Sequence, residues 1–390
     1  YHSVTDAFGA APWMLWYPLT GSDARFCWAM SQACNDAQWH LEPWTGAVRE
    51  LVKWPHKTHK LDYRGFADVA MVFSEKSKDA SLWTGHYHGM ETLGWGEAMV
   101  AANIQYQGIH EIAVTPSLLQ PYKLVILPSM TLMDRGNRDA FAAYVRDGGT
   151  LITTAETGLL DEQGHPREDF LLGEMMNVRL VDYLPAPFDL VMPGRGTFTY
   201  NRERMLYKHG ARMLRVELRD PGRSRVVASF LKDGVEYPGI VATGFGRGTV
   251  YYVATFLGVS NFEVGLQEGG PDIFRRNPDA APFMADLLRG ILGEGETVVA
   301  HDTPEKLIYT TWITRDGREL AIHFLNVADH RALAPDEVVK RRAIEFPLVD
   351  RPVCLLLRGV HADAATFYSP DSPDPISCRV DETGHDTLLT

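Results

Sequence analysis

The chain has 390 residues, 45% of them hydrophobic and 23% charged, with a formal charge of −12. Such proportions belong to a globular protein of two to three domains with a sizeable core, and the acidic balance argues against nucleic acid and anionic membranes as partners. No apolar run approaches the roughly 18 residues that span a bilayer, and no signal-peptide pattern is visible. The four cysteines, Cys27, Cys34, Cys354 and Cys378, fit no zinc or redox spacing and read as reduced thiols of a cytoplasmic protein.

In chain order, the first 60 residues hold six tryptophans, Trp13, Trp16, Trp28, Trp39, Trp44 and Trp54. Ala7 to Tyr17 reads as a helix end, a glycine turn and a buried strand. Trp39, Pro43 and Trp44 form an apolar entry to a helix over Thr45–Trp54. After a linker at Tyr63–Gly65 come three short apolar runs, Ala67–Phe73, Lys123–Pro128 and Gly149–Thr154. Runs so short and uniformly apolar suit strands buried on both faces. Between them the sequence predicts helices over Met90–Gln107 and Asp134–Arg146, the second opened by an aspartate cap and stopped by Gly148-Gly149. Alternation of this kind predicts an α/β fold with a doubly wound parallel sheet. Ligands of such sheets lie beyond the carboxyl ends of the strands, which puts Glu75, Met130–Asp134 and Glu156 on one rim.

Downstream, a short helix is expected over Phe170–Met176, and then the period changes. Arg212–Glu217, Arg225–Leu231, Tyr237–Thr243 and Thr249–Phe256 read as strands, an antiparallel insertion that rejoins the sheet at Val250–Thr255. Pro282–Leu292 is an amphipathic helix stopped by Gly293. From Thr297 the pattern is all-β: Lys306–Thr314, Arg318–Asn326, Arg342–Pro347, Val353–Arg358, Ala364–Tyr368 and a last pair of strands predict a small antiparallel β-sandwich.

Certain strings resemble a known family. Val125-Ile-Leu-Pro128, Asp134 through Thr154, Glu156–Gly164, Asp169–Met175 and Gly244–Gly258 are similar to the flavodoxin-like, class I glutamine-amidotransferase-like domain. More narrowly, they resemble the version called the trimerisation domain in β-galactosidase-like glycoside hydrolases of family 42. The resemblance implies that the chain is the C-terminal, non-catalytic portion of such a hydrolase, and that its Trp-rich start is a remnant of the (β/α)8 barrel that precedes this domain. The domains expected are then 1–62, the last β/α unit of a barrel; 63–296, the amidotransferase-like α/β domain; and 297–390, the β-sandwich. It also implies self-association, a trimer first, with the domain walling a sugar site.

The chemistry expected of the rim is limited. A glutaminase needs a cysteine on the sharp turn after a core strand with a His-Glu pair downstream; here Glu156 stands at the nucleophile-like position. A retaining glycosidase needs two carboxyls about 5–5.5 Å apart; Glu75 and Glu156 are the candidate acidic pair, against the plainer reading of two solvated or helix-capping carboxylates. Trp16 and Tyr17, at the carboxyl end of a barrel strand, could stack on a sugar or simply pack. His86 and His88 lack the third ligand a metal needs. No catalytic residue, metal or cofactor is assigned. The competing functions are an autonomous hydrolase or sugar-metabolism enzyme on the same fold, and a carbohydrate-binding protein.

Overall fold

The computed structural model describes residues 13–16, 21–34, 37–40, 51, 63–84, 87–203, 205, 210–265, 273–301, 307–326, 352–372 and 374–390. The chain divides into two units, one formed by Asp68–Gly295 and the other by Tyr1–Ala67 together with Glu296–Thr390.

The unit holding both ends of the sequence begins with Trp13–Trp16 (β1), Gly21–Ala33 (α1) and Ala37–His40 (β2). β1 and β2 pair in parallel, a β-α-β step. Trp28 is buried with Ala24 and Leu51; apart from Leu51, the helix expected over Thr45–Trp54 lies outside the described residues. Tyr63–Gly65 (β3), expected as a linker, is a strand.

The central unit opens with Val69–Phe73 (β4), then Glu75–Thr84 (α2), His88–Ala101 (α3), Tyr106–His110 (β5), Pro116–Leu119 (α4), Leu124–Leu127 (β6), Arg135–Arg146 (α5) and Thr150–Thr154 (β7). The three apolar runs thus form three adjacent parallel strands, β4, β6 and β7. Two expectations need correction. The helix over Glu75–Thr84 was not among those expected; Ser74 caps it by accepting from Ser77 N–H. The helix expected to reach Gln107 ends at Ala101, and Gln107 lies in β5, held in parallel to β4. α5 is as expected, with the Asp134 carboxylate accepting from Asn137 N–H at 2.7 Å.

Next come Gly173–Met176 (α6), Val178–Pro185 (β8), Phe188–Met192 (β9), Gly196–Tyr200 (β10), Arg212–Leu218 (β11), Ser224–Lys232 (β12), Val235–Phe245 (β13), Gly248–Val253 (β14), Phe262–Gly265 (β15), Ile273–Arg276 (β16) and Ala280–Leu292 (α7). The main sheet has nine strands in the order β10-β9-β12-β13-β14-β7-β6-β4-β5. From β14 to β5 every pair is parallel; from β13 to β10 every pair is antiparallel. The sheet is therefore mixed, where a parallel one was expected. β13, β12 and β9 extend it beyond β14, giving the backbone groups on that side a hydrogen-bonded neighbour. The core is continuous through both halves, from Val69 and Trp95 to Phe230 and Leu288.

The remaining strands belong to the first unit: Val298–His301 (β17), Leu307–Thr314 (β18), Leu320–Asn326 (β19), Cys354–Leu357 (β20), Thr366–Phe367 (β21), Ile376–Ser377 (β22), Val380–Thr383 (β23) and Asp386–Leu389 (β24). They form antiparallel sheets β17-β20-β24-β23 and β19-β18-β3, with a small β21-β22 ribbon. Tyr309 of β18 and Leu355 of β20 share one apolar cluster. The Ala33 carbonyl at the end of α1 accepts from Trp312 Nε1–H at 2.8 Å and from the Thr310 hydroxyl at 2.6 Å, which ties the first helix to the late strand β18. The strand expected at Arg342–Pro347 lies outside the described residues.

Candidate functional site

Because β4, β6 and β7 are parallel, their carboxyl ends meet on one rim, and between β4 and β6 the connections turn to opposite sides of the sheet. Open α/β sheets take ligands in the crevice at such a point. Here an imidazole fills it. His88, the first residue of α3, is fully buried; its Nε2 accepts from Ser74 N–H at 2.8 Å and its Nδ1 lies 2.6 Å from the Pro128 carbonyl. The Ser74 donor fixes the proton on Nδ1, so the ring is neutral and clamps the end of β4 to the end of β6. Burial, opposed by the Pro128 bond, lowers its pKa to about 4. Glu111 closes the other side, accepting from Ser74 Oγ at 2.7 Å and Lys76 N–H at 3.1 Å.

One helical turn beyond His88, Glu91 points into the interior without any exposure. Its carboxylate accepts from Trp95 Nε1–H at 3.0 Å, the Thr154 hydroxyl at 2.9 Å and Val259 N–H at 2.9 Å. The Thr154 hydroxyl in turn accepts from Ser129 N–H at 2.9 Å. One side chain thereby links α3, the end of β7, the turn after β6 and the loop after β14. Burial pushes the carboxyl above the usual range, opposed by these hydrogen bonds. The helix reaches this position because Gly94 and Gly258 let backbone meet backbone: a Cβ on Gly94 would stand 1.9 Å from the Gly258 carbonyl oxygen.

The turn after β7 contains a non-glycine residue with a positive φ of 45°. The residue carrying it is Ala155, and Glu156, expected at the nucleophile-like position, follows it directly in the chain. Glu156 is not on an open rim. It is 1% exposed and paired at 2.5 Å with Arg212, whose guanidinium lies 4.8 Å from the Tyr183 ring centre and 5.3 Å from that of Phe256. All four cysteines fall in the other unit. Ser129, after β6, also has a positive φ, of 44°, and its hydroxyl is buried without a partner among the described residues. The nearby ring of His88 has both nitrogens engaged by backbone, so it is not free to act as a base toward that hydroxyl. The chain is expected to release no ammonia from glutamine; a rate above background, lost on thiol alkylation, would overturn this assignment of the elbow.

The other expected site residues scatter. Glu75 is exposed on the first turn of α2, 3.7 Å from both Lys78 Nζ and His110 Nε2. Its strand and that of Glu156 are separated by β6, and their carboxylates have different partners, so they form no acidic pair. Trp16 ends β1, while Tyr17 and His86 lie outside the described residues. Among the described residues no group of three or more His, Cys, Asp and Glu is placed to hold a metal ion, and no helix is long and apolar enough to cross a membrane. The residues that knit the rim, His88, Glu91, Glu111 and Arg212, were not anticipated in those roles. Glu91 did carry a signal: it is an acid on a helix whose other residues, Met90, Leu93, Trp95, Ala98 and Met99, are largely apolar.

A family model described as the β-galactosidase trimerisation domain matches residues 67–266. A curated β-galactosidase of Bifidobacterium bifidum is 28% identical over 273 residues, 61% of this chain and 37% of that protein. Among solved structures, a GH42 β-galactosidase of G. stearothermophilus superposes with a TM-score of 0.54 at 11% identity, over 83% of this chain and 40% of that one. An α-L-fucosidase of Paenibacillus thiaminolyticus gives 0.62 at 17% identity, over 96% of this chain and 56% of that one. These superpositions show a shared fold, and the chain spans about two fifths of the length of the β-galactosidases it matches.

Proposed function

The chain belongs to the family of the β-galactosidase trimerisation domain, and from that premise we propose that it is the assembly portion of a β-galactosidase-like glycoside hydrolase, non-catalytic in itself. In this reading it joins copies of the protein, as a trimer, and walls a sugar site whose reacting carboxyls lie elsewhere. The observation that carries the non-catalytic half is the closure of the rim: His88 fills the crevice between β4 and β6, and the acids nearest the centre, Glu91 and Glu156, are buried in structural bonds. A site without a reachable nucleophile or a close carboxyl pair has no means of glycosyl transfer.

The parallel half of the sheet has the order 2-1-3-4-5, counting β4, β5, β6, β7 and β14. That order supports the flavodoxin-like, amidotransferase-like reading of the fold, and the β1-α1-β2 step supports the reading of the first segment as a barrel unit. Carbohydrate contact, in this proposal, falls to Trp16, Tyr17 and the exposed Glu75 in preference to the buried Glu156. A cytoplasmic location is part of the same proposal, and the free state of the four cysteines supports it.

Light scattering tests the assembly half. The expected mass is three times the 43.6 kDa of one chain, and a single-chain mass at every micromolar concentration would overturn it. The same preparation should not hydrolyse a nitrophenyl galactoside; turnover abolished by Glu75→Gln would make the rim an active site.

A further inference from the structure

A concavity of about 540 Å3 opens between the segment after β5 and the first turn of α5. Its size falls within the ~300–1,000 Å3 of ordinary small-molecule pockets. Ile112, Val114, Pro116 and Ala140 give it apolar surface, and Ile112 is 67% exposed. The polar lining includes Asn137, which is only 8% exposed although it stands in the first turn of a helix. Its Nδ2 donates to the Glu111 carbonyl at 3.1 Å, which fixes the amide orientation and leaves Oδ1 as the free end. That oxygen has no partner among the described residues, and it is not one of the polar atoms sealed in the interior. The opening left to it is the cavity that Asn137 lines. An amide oxygen so closely packed and yet without a donor is uncommon. Beside it, the N–H of Gly136 lies ahead of the intrahelical ladder and has no partner among the described residues. Consecutive residues of a rigid helix thus offer an open acceptor and an open donor.

The charged groups around the cavity are already balanced. Lys76 Nζ lies 3.8 Å from Asp134 Oδ2, and Asp139 pairs with Arg138 at 2.7 Å. Glu111 is 4% exposed, with its two oxygens taken by the Ser74 hydroxyl and Lys76 N–H. A cation or an anion has to break into one of these pairs, so neither gains an advantage here. The Lys76–Asp134 separation is that of an ion pair but is too long for a hydrogen bond. Ammonium and carboxylate therefore both keep capacity for a group placed between them, and a hydroxyl, which donates and accepts at once, suits that place. We propose that the cavity binds a small neutral polyol. Its hydroxyls bridge Lys76 and Asp134 and meet Asn137 Oδ1 and Gly136 N–H, while its C–H face rests on Ile112 and Val114. A ring polyol carries this combination, an apolar face bordered by hydroxyls. The proposal is independent of the assembly reading: every residue it uses lies in the central unit, and none comes from another copy.

The probes are methyl α-D-glucoside and myo-inositol as neutral polyols, with glucuronate and glucosamine as charged counterparts. Saturation-transfer difference NMR on the full chain is expected to show saturable binding of the neutral pair, with a dissociation constant of ~10 mM or tighter. The charged pair is expected to bind at least ~5-fold more weakly. Lys76→Met, at a half-exposed side chain, and Asn137→Ala should each weaken the neutral pair at least ~5-fold. Saturating methyl glucoside should also slow amide exchange over residues 134–140. Binding of the neutral probes that does not saturate would overturn the proposal. So would tighter binding of either charged probe, which would make the cavity an ion site. Affinity unchanged by Lys76→Met would put the polyol elsewhere on the chain and overturn the proposal, leaving the assembly reading untouched. If Asn137→Ala loses its circular dichroism, Lys76→Met and the exchange of residues 134–140 decide.

Discussion

Gly94→Val is expected to unfold the central unit, whereas Gly244→Ala should scarcely be felt. Gly94 stands on α3 where its missing side chain would otherwise lie 1.9 Å from the Gly258 carbonyl oxygen and 2.4 Å from the carbonyl carbon. The obstacle is backbone, so no rotamer change relieves it. Gly258 is equally constrained, since its own Cβ would lie 2.3 Å from the Glu91 carbonyl oxygen. To admit valine, α3 must move away from the loop after β14, which pulls Trp95, Ala98 and Met99, all fully buried, out of register with the sheet. The cost expected is ~4 kcal/mol or more, a large fraction of the roughly 5–15 kcal/mol that holds a domain together. At Gly244, in β13, a Cβ meets nothing within 4 Å, and alanine there should stay within ~0.5 kcal/mol of wild type. Urea unfolding with a far-ultraviolet readout compares the two. A Gly94→Val protein unfolding at the wild-type midpoint would show that helix and loop are not in backbone contact.

The second large effect is expected at Glu91. The groups that face its carboxylate, Trp95 Nε1–H, the Thr154 hydroxyl and the N–H groups of Val259 and Gly258, are donors in the arrangement found. Glutamine keeps the shape but offers one oxygen and one NH2. In either amide orientation the NH2 confronts an N–H that cannot reverse, that of the indole or that of Val259. Glu91→Gln is therefore expected to cost ~2–3 kcal/mol despite being nearly isosteric. Its pH dependence has a definite sign. Burial raises the Glu91 pKa in the folded state above the unfolded value near 4.5. Just above that value the folded protein holds a proton that the unfolded chain has lost, so this group's contribution to stability falls as pH rises through the window. The glutamine variant lacks this loss, so its deficit should be larger at pH 5 than at pH 8. Equal stability of variant and wild type at both pH values would show that Glu91 does not carry the network, and a deficit that grew with pH would reverse the assigned shift.

The two predictions depend on features of different visibility. The apolar runs that became β4, β6 and β7 were legible because a strand buried on both faces is apolar at every position, a purely local property. The helix α5 was legible for the same kind of reason: its aspartate cap and its glycine stop act within a few residues of the chain. Several of the antiparallel strands were equally legible from their period. Strand β5 was not, because Tyr-Gln-Gly-Ile-His has little apolar signal of its own and is a strand only through its pairing with β4. Nor was α2, whose polar sequence becomes helical with the help of Ser74 and of Glu111 arriving from after β5.

At the rim the division is sharper. By itself the sequence determined the absence of a cysteine after any core strand and the acidic, α/β character of the chain, since these depend on residue identity and short-range pattern. Only the tertiary structure decided that Ala155 takes the positive φ after β7, that Glu75 is exposed while Glu156 lies under Arg212, and that His88 serves as a clamp between two strands. Those outcomes turn on which groups from distant parts of the chain meet in the low-dielectric interior. There a buried polar side chain is stable only with its partners in place, and those partners are up to 168 residues away along the chain.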